Sequence, residues 1–173
     1  DPIQSRCAIF RFKPLEKEDI ISIIDTIAKR ENLKIDDEAK EALFEISHGD
    51  CRRAENILQS CAAIQDSIDK DLVYSMASVA EPKDVKAILK LAVDGKFQES
   101  RKKLLDVMLE YSLSGMDLIK QIQKQVWELD IEDRNKVELV DKCGEIEFRM
   151  TEGSDEYVQL EALLAYFTKL GSE

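Results

Sequence analysis

The sequence predicts an all-α protein, with one short strand at its start, a unit of three helices, and then a bundle of five. Three observations carry that prediction. Among 173 residues there are only 6 Gly and 3 Pro, which leaves few places to turn. Leu, Ala, Lys and Glu, all good helix formers, are abundant, and Ile joins them. From Pro14 onward the spacing of apolar residues changes from two to about 3.6, the period of a helix.

The first apolar stretch, Cys7-Ala8-Ile9-Phe10-Arg11-Phe12, is β-branched and aromatic and alternates as a strand does. A single strand needs a neighbour for its backbone groups. Residues 1–12 are therefore expected to be the edge of a larger domain lying upstream. Three helices follow, with apolar stripes Ile20, Ile23, Ile24, Ile27; then Ala39, Ala42, Leu43, Ile46; then Ala54, Ile57, Leu58, Cys61. The signal weakens between Ile64 and Lys83, where Leu72 to Val79 could form a short helix. Glu81-Pro82 marks a fresh start, because Pro is tolerated in a first helical turn and disfavours helix in the residue before it. A domain boundary is placed near residue 80.

Beyond it the stripes are Val85, Ile88, Leu89, Ala92; then Phe97, Leu104, Leu105, Met108; then Leu118, Ile119, Ile122, Val126. Val137, Val140, Cys143, Ile146 and finally Val158, Leu160, Leu163, Leu164, Phe167 complete the set. Breaks at Gly95, Ser114-Gly115, Asp130 and Gly153-Ser154 separate five helices. Some are apolar on more than one face, which suits a helix buried against another subunit. Leu109, Met116, Trp127, Tyr157 and Tyr166 are the interface candidates drawn from such helices. The expected organisation is thus 1–12, 13–79 and 80–173.

With 25 Lys and Arg against 36 Asp and Glu, the formal net charge is −11. This argues against a surface that by itself clamps nucleic acid or lies on an anionic membrane. Residues 1–79 carry 11 basic and 16 acidic side chains and residues 80–173 carry 14 and 20, so neither half concentrates positive charge. No run approaches the roughly 18 apolar residues of a membrane span. Cys7, Cys51, Cys61 and Cys143 show no CxxC pair, and reduced thiols in a cytoplasmic protein are expected. The single His48 has no partner at zinc-ligand spacing, so it reads as a polar residue near a helix C-terminus and no metal site is expected.

Gly49-Asp50-Cys51-Arg52-Arg53-Ala54 departs from this plain picture. Asp50 is a good N-cap, which puts Arg52 and Arg53 in a first turn where the helix dipole is already positive. Two readings stand: solvated arginines pairing with nearby acids, or cations waiting for an anion docked at the helix N-terminus. Ser5-Arg6-Cys7, just before the strand, is a second segment of this kind.

Taken together, the run Asp1-Pro2-Ile3-Gln4-Ser5-Arg6-Cys7-Ala8-Ile9-Phe10-Arg11-Phe12 closely resembles the end of the AAA+ nucleotide-binding core in the small subunits of replication factor C, of archaeal type. Gly49-Asp50-Cys51-Arg52-Arg53-Ala54-Glu55-Asn56-Ile57-Leu58-Gln59 resembles the same family's sensor 2 segment, with Cys51 where the family usually has Met or Leu and Glu55 where it tends to be apolar. The resemblance implies a remnant strand of an AAA+ core (1–12), a three-helix lid (13–79) and a helical collar that holds subunits in a ring (80–173). It implies that Arg6 is an arginine finger reaching a neighbouring subunit's ATP. It also implies that Arg52 touches the phosphates of ATP, with Mg, bound in its own subunit.

The function implied is that of a clamp-loader subunit that uses ATP to open the sliding clamp and load it on primer-template DNA. Other small and large subunits would be met through the collar, and clamp and DNA through a nucleotide-binding domain not contained in these residues. No GxxxxGK[ST] pattern occurs in the sequence, so this polypeptide alone is expected neither to hydrolyse ATP nor to bind it well. The alternatives are a stand-alone helical interaction scaffold, or the lid region of a different AAA+ machine.

Overall fold

The structure is a computed structural model that describes residues 13–171. The strand expected over residues 7–12 and the Arg6 segment lie outside the described residues. Of the described residues 75% are helical, in nine α-helices and a 3-10 turn, and these residues also form one small sheet. The chain passes from a first compact unit to a second between Val73 and Tyr74.

The first unit contains α1 (Lys17–Glu31), β1 (Lys34–Ile35), α2 (Asp37–Ser47), α3 (Cys51–Ala62), β2 (Ser67–Ile68) and the start of α4 (Lys70–Met76). Helix α1 has Glu18 and Asp19 in its first turn and Lys29 and Arg30 in its last, each complementing the helix dipole. It stops at Asn32, whose left-handed backbone (φ 57°) lets its N–H bond back to the Ala28 carbonyl. Helix α2 is capped by Asp36, whose side chain accepts from the Ala39 N–H at 2.6 Å. It ends at His48, again left-handed (φ 52°), so this histidine is a helix C-cap, as its sequence position predicts.

The core of this unit is Ile20 and Ile24 from α1, Ala39, Ala42, Leu43 and Ile46 from α2, and Ala54, Ile57, Leu58 and Cys61 from α3. These fall on the predicted stripes, although Ile23 and Ile27 are only half-buried. Lys40 ties α2 to α1 through Asp25 at 2.9 Å. The strands pair in parallel, Lys34 with Ser67 and Ile35 with Ile68. Two residues a strand is too short for an alternating pattern, which is why the sequence shows no trace of this ladder.

The second unit is built from α5 (Pro82–Val93), α6 (Phe97–Glu110), α7 (Gly115–Gln125) with a 3-10 turn at Val126–Glu128, α8 (Asp133–Thr151) and α9 (Glu156–Leu170). Helix α5 packs on α6, α7 and α9, and α8 packs on α7 and α9. Its core includes Val85, Ile88, Leu89, Leu104, Leu118, Ile122, Leu160 and Phe167. Ser100, fully buried on α6, donates its hydroxyl to the Ile88 carbonyl of α5 at 2.8 Å, so it adds no unsatisfied polar group. Glu156 of α9 accepts from the Gly115 N–H at 2.6 Å and closes the α7 N-terminus together with Ser114.

Three stripes are corrected. In α8 the buried residues are Leu139, Cys143, Ile146 and Met150, while Val137 is 60% exposed and Val140 half-buried. Steps of three repeated down a helix drift by about 60° each, whereas steps of four, three and four hold one face. In α9 Val158 is exposed and Leu160, Leu163, Leu164 and Phe167 form the buried side. In α6, likewise, Phe97 and Leu105 are half-buried, and Val107 joins Leu104 and Met108 in the core. Among the described residues no helix is long and apolar enough to cross a membrane.

Candidate functional site

The site grows out of the turn between α2 and α3. Two successive residues, His48 (φ 52°) and Gly49 (φ +79°), adopt left-handed backbone, which reverses the chain at Ser47-His48-Gly49-Asp50. Asp50 then caps α3, its carboxylate accepting from the Arg53 N–H at 3.1 Å. The Leu15 N–H donates to the Gly49 carbonyl at 2.9 Å, so the chain leading into α1 is fastened to this same turn.

Arg52 and Arg53 occupy the first turn of α3, and both are exposed. That turn holds no acidic residue, unlike α1 and α2, which carry two each. Among the described residues neither guanidinium has an ion-pair partner, although eleven other basic-acidic contacts are formed elsewhere. Glu55, three residues beyond Arg52, accepts instead from the Cys51 thiol at 3.5 Å. Partial burial and then this carboxylate push the Cys51 thiol above its ordinary pKa, so it is a protonated neighbour and not an anionic one. The result is an open helix end where free N–H groups, the helix dipole and unpaired guanidinium groups all favour an anion. A carboxylate or phosphate group docked there would meet bidentate donors. Of the two readings the sequence left standing, pairing with nearby acids finds no such pair among the described residues.

The remaining candidates lie in the second unit. Leu109 at the end of α6 is 76% exposed, and Trp127 in the 3-10 turn and Tyr157 at the start of α9 are about half exposed. Met116 is half-buried on α7. Tyr166 is half-buried on α9, its hydroxyl donating to Glu138 at 3.4 Å and its ring facing the Lys142 ammonium at 5.6 Å. Tyr166 is thus partly engaged within its own unit. Further exposed apolar residues stand outside the interface candidates: Phe148, and Val137 and Val158, which the sequence reading had placed on buried stripes. Val137 and Phe148 are eleven residues apart, three full turns, and share one face of α8; that spacing was the available signal. Among the described residues no group of three or more His, Cys, Asp or Glu could hold a metal ion.

A family profile described as the replication factor C C-terminal domain matches residues 80–166. The chain belongs to the replication factor C family. It is 47% identical over 172 residues to a replication factor C small subunit of Methanocella arvoryzae, which covers 99% of this chain and 53% of that one. It is 45% identical over 175 residues to the small subunit of Staphylothermus marinus, covering 100% and 53%. A third small subunit, from Methanocaldococcus jannaschii, is 47% identical over 170 residues, covering 98% of this chain and 9% of its own length. The chain therefore spans about half or less of the length of these replication factor C relatives.

Among solved structures, the Bacillus subtilis DNA clamp loader delta protein superposes with a TM-score of 0.54 at 14% identity, over 96% of this chain and 60% of that one. That likeness bears on the fold alone.

Proposed function

We propose that this chain forms the lid and collar of an AAA+ subunit of the clamp loader, which opens the sliding clamp and loads it on primer-template DNA at the expense of ATP. Residues 1–12 form the edge of the nucleotide-binding core, 13–79 the lid and 80–173 the collar. The observation that carries this reading is the first turn of α3, where Arg52 is exposed and free of an ion pair among the described residues on a chain of this family.

Hydrolysis of ATP spreads negative charge over the γ-phosphate oxygens, and positioned cations supply most of the stabilisation. Arg52 is the cation in cis, the sensor 2 group that meets the phosphates and couples their presence to the attitude of the lid. Arg6 is the cation in trans, the finger that enters a neighbouring subunit's site. Mg bound with ATP adds further neutralisation in the intact subunit. The collar keeps the subunits in a ring while the nucleotide-binding domains rearrange, and Leu109, Met116, Trp127, Tyr157 and Tyr166 contribute to its interfaces. The acidic balance of both halves supports leaving the sliding clamp and DNA to the nucleotide-binding domain.

The test uses an intact subunit of the relatives' length. Arg52→Ala removes a charged hydrogen bond of about 1.5–3 kcal/mol, which lowers ATP affinity roughly ten- to a hundredfold. Arg6→Ala leaves ATP binding in place and lowers hydrolysis in the assembled ring by about 10³ to 10⁵. Unchanged ATP affinity in the first variant refutes the sensor role, and unchanged hydrolysis in the second refutes the finger.

A further inference from the structure

Gly49 stands two residues before α3, and its surroundings leave no room for a side chain. A Cβ at this position would lie 2.5 Å from the Leu15 carbonyl oxygen and 2.8 Å from the Pro14 Cβ, and its φ of +79° is one that residues with side chains rarely adopt. Two of these obstacles are backbone and ring atoms that cannot rotate aside. The Gly49 carbonyl also accepts the Leu15 N–H at 2.9 Å. Gly49 itself is buried while Pro14 and Leu15 are exposed, so the incoming segment lies over the turn as a strap. The same turn carries Asp50, the α3 cap, and Arg52 one residue inside the helix.

We propose that Gly49 is a positioning residue, whose close contact clasps the Pro14-Leu15 strap to the start of α3 so that the incoming chain and the Arg52 guanidinium move as one piece. The proposal rests on the reading of Arg52 as the phosphate contact. A phosphate that draws Arg52 toward itself pulls on Asp50 and Gly49 through four residues of backbone already held by the cap. The pull reaches Leu15 through one hydrogen bond and through packing without slack. Movement of the lid is thereby handed to the chain that leads into it at Lys13. Were the glycine replaced by a residue with a Cβ, the strap would stand off the turn and the helix end would no longer report to it.

The experiment is site-resolved amide exchange at Leu15 in the intact subunit, with and without ATP. In the native protein the Leu15 N–H is protected, and ATP slows its exchange at least tenfold further. In Gly49→Ala both the basal protection and the ATP effect are lost, while amides inside α1 and α2 stay protected. Leu15→Pro, which deletes the donor without touching the turn, serves if the first variant does not fold; there, the ATP-induced slowing at the Arg53 and Ala54 amides drops to less than half its native size. Arg52→Ala keeps the basal protection of Leu15 and loses the ATP effect. Full Leu15 protection and a full ATP response in Gly49→Ala overturn the clasp. An ATP effect on Leu15 that survives Arg52→Ala but not Gly49→Ala overturns the Arg52 reading and leaves the clasp standing.

Discussion

A guanidinium in the first turn of a helix works against the helix's own field by roughly 0.3–1 kcal/mol, and α3 carries two of them. The Asp50 carboxylate offsets part of that, because it caps the helix and brings a negative charge to its positive end. Asp50→Ala is expected to lower the stability of the first unit by about 1 kcal/mol, read from urea denaturation followed by circular dichroism. A variant as stable as the native protein refutes the capping role.

In the second unit a different carboxylate dominates. Asp84 accepts from Lys103 at 2.7 Å and from the buried Tyr111 hydroxyl at 3.0 Å. Burial alone would raise its pKa, yet the two hydrogen bonds outweigh burial and hold it below the usual carboxylate value. Its stabilisation is therefore present above the ordinary Asp value near pH 3.9 and is lost as pH falls through the lower folded value. Tyr111, pushed up chiefly by burial and then by Asp84, holds its contribution below about pH 10 and loses it as the phenol ionises. Asp84→Asn is expected to remove roughly 1–3 kcal/mol near neutral pH and to flatten the acid limb of the stability profile. A profile of native steepness in that variant counts against the assignment.

At the scale of elements, the helices were legible because their buried stripes, such as Ala39 to Ile46 and Val85 to Ala92, repeat over about two turns. The capped, cationic turn at the start of α3 was legible for a chemical reason: two arginines after an N-cap aspartate are unusual enough to be noticed in a linear sequence. What stayed hidden depends on contacts between elements. The Lys34–Ser67 ladder is too short for any periodicity, and the fastening of Leu15 to Gly49 joins residues 34 positions apart through a backbone bond that no side chain announces. The stripe assigned to α8 failed where Val137 and Val140 looked as apolar as Leu139 and only the drift of steps of three told them apart.

That correction has a measurable consequence. Leu139→Ala empties a fully buried position and is expected to cost about 2–5 kcal/mol, whereas Val137→Ala on the exposed face stays within about 0.5 kcal/mol. Chemical denaturation of the two variants decides it, and equal losses contradict the assigned faces. The cysteines follow the same division. Burial pushes the Cys61 thiol up to about 11 and the Cys143 thiol up to about 12, and both side chains are enclosed. Iodoacetamide at neutral pH is therefore expected to label Cys51 well before either of them.

For the molecule as a whole, one chain joins a unit with an anion-seeking helix end to a unit whose exposed surface includes Leu109, Trp127, Phe148 and Val158. Such apolar exposure on a family member suits a collar that meets other subunits, and residues 80–173 are expected to self-associate in light scattering; a strictly monomeric species removes support for the ring-forming role. Both properties matter only if nucleotide at the first unit governs what the assembled ring does. The most direct measurement is ATP-dependent clamp loading on primed DNA by a loader reconstituted with single arginine variants. Arg53→Ala is expected to load within about twofold of the native rate and Arg52→Ala at least about tenfold more slowly, since the proposed sensor role falls to Arg52 and not to Arg53. Native loading by Arg52→Ala, or equal impairment of both variants, would contradict that account.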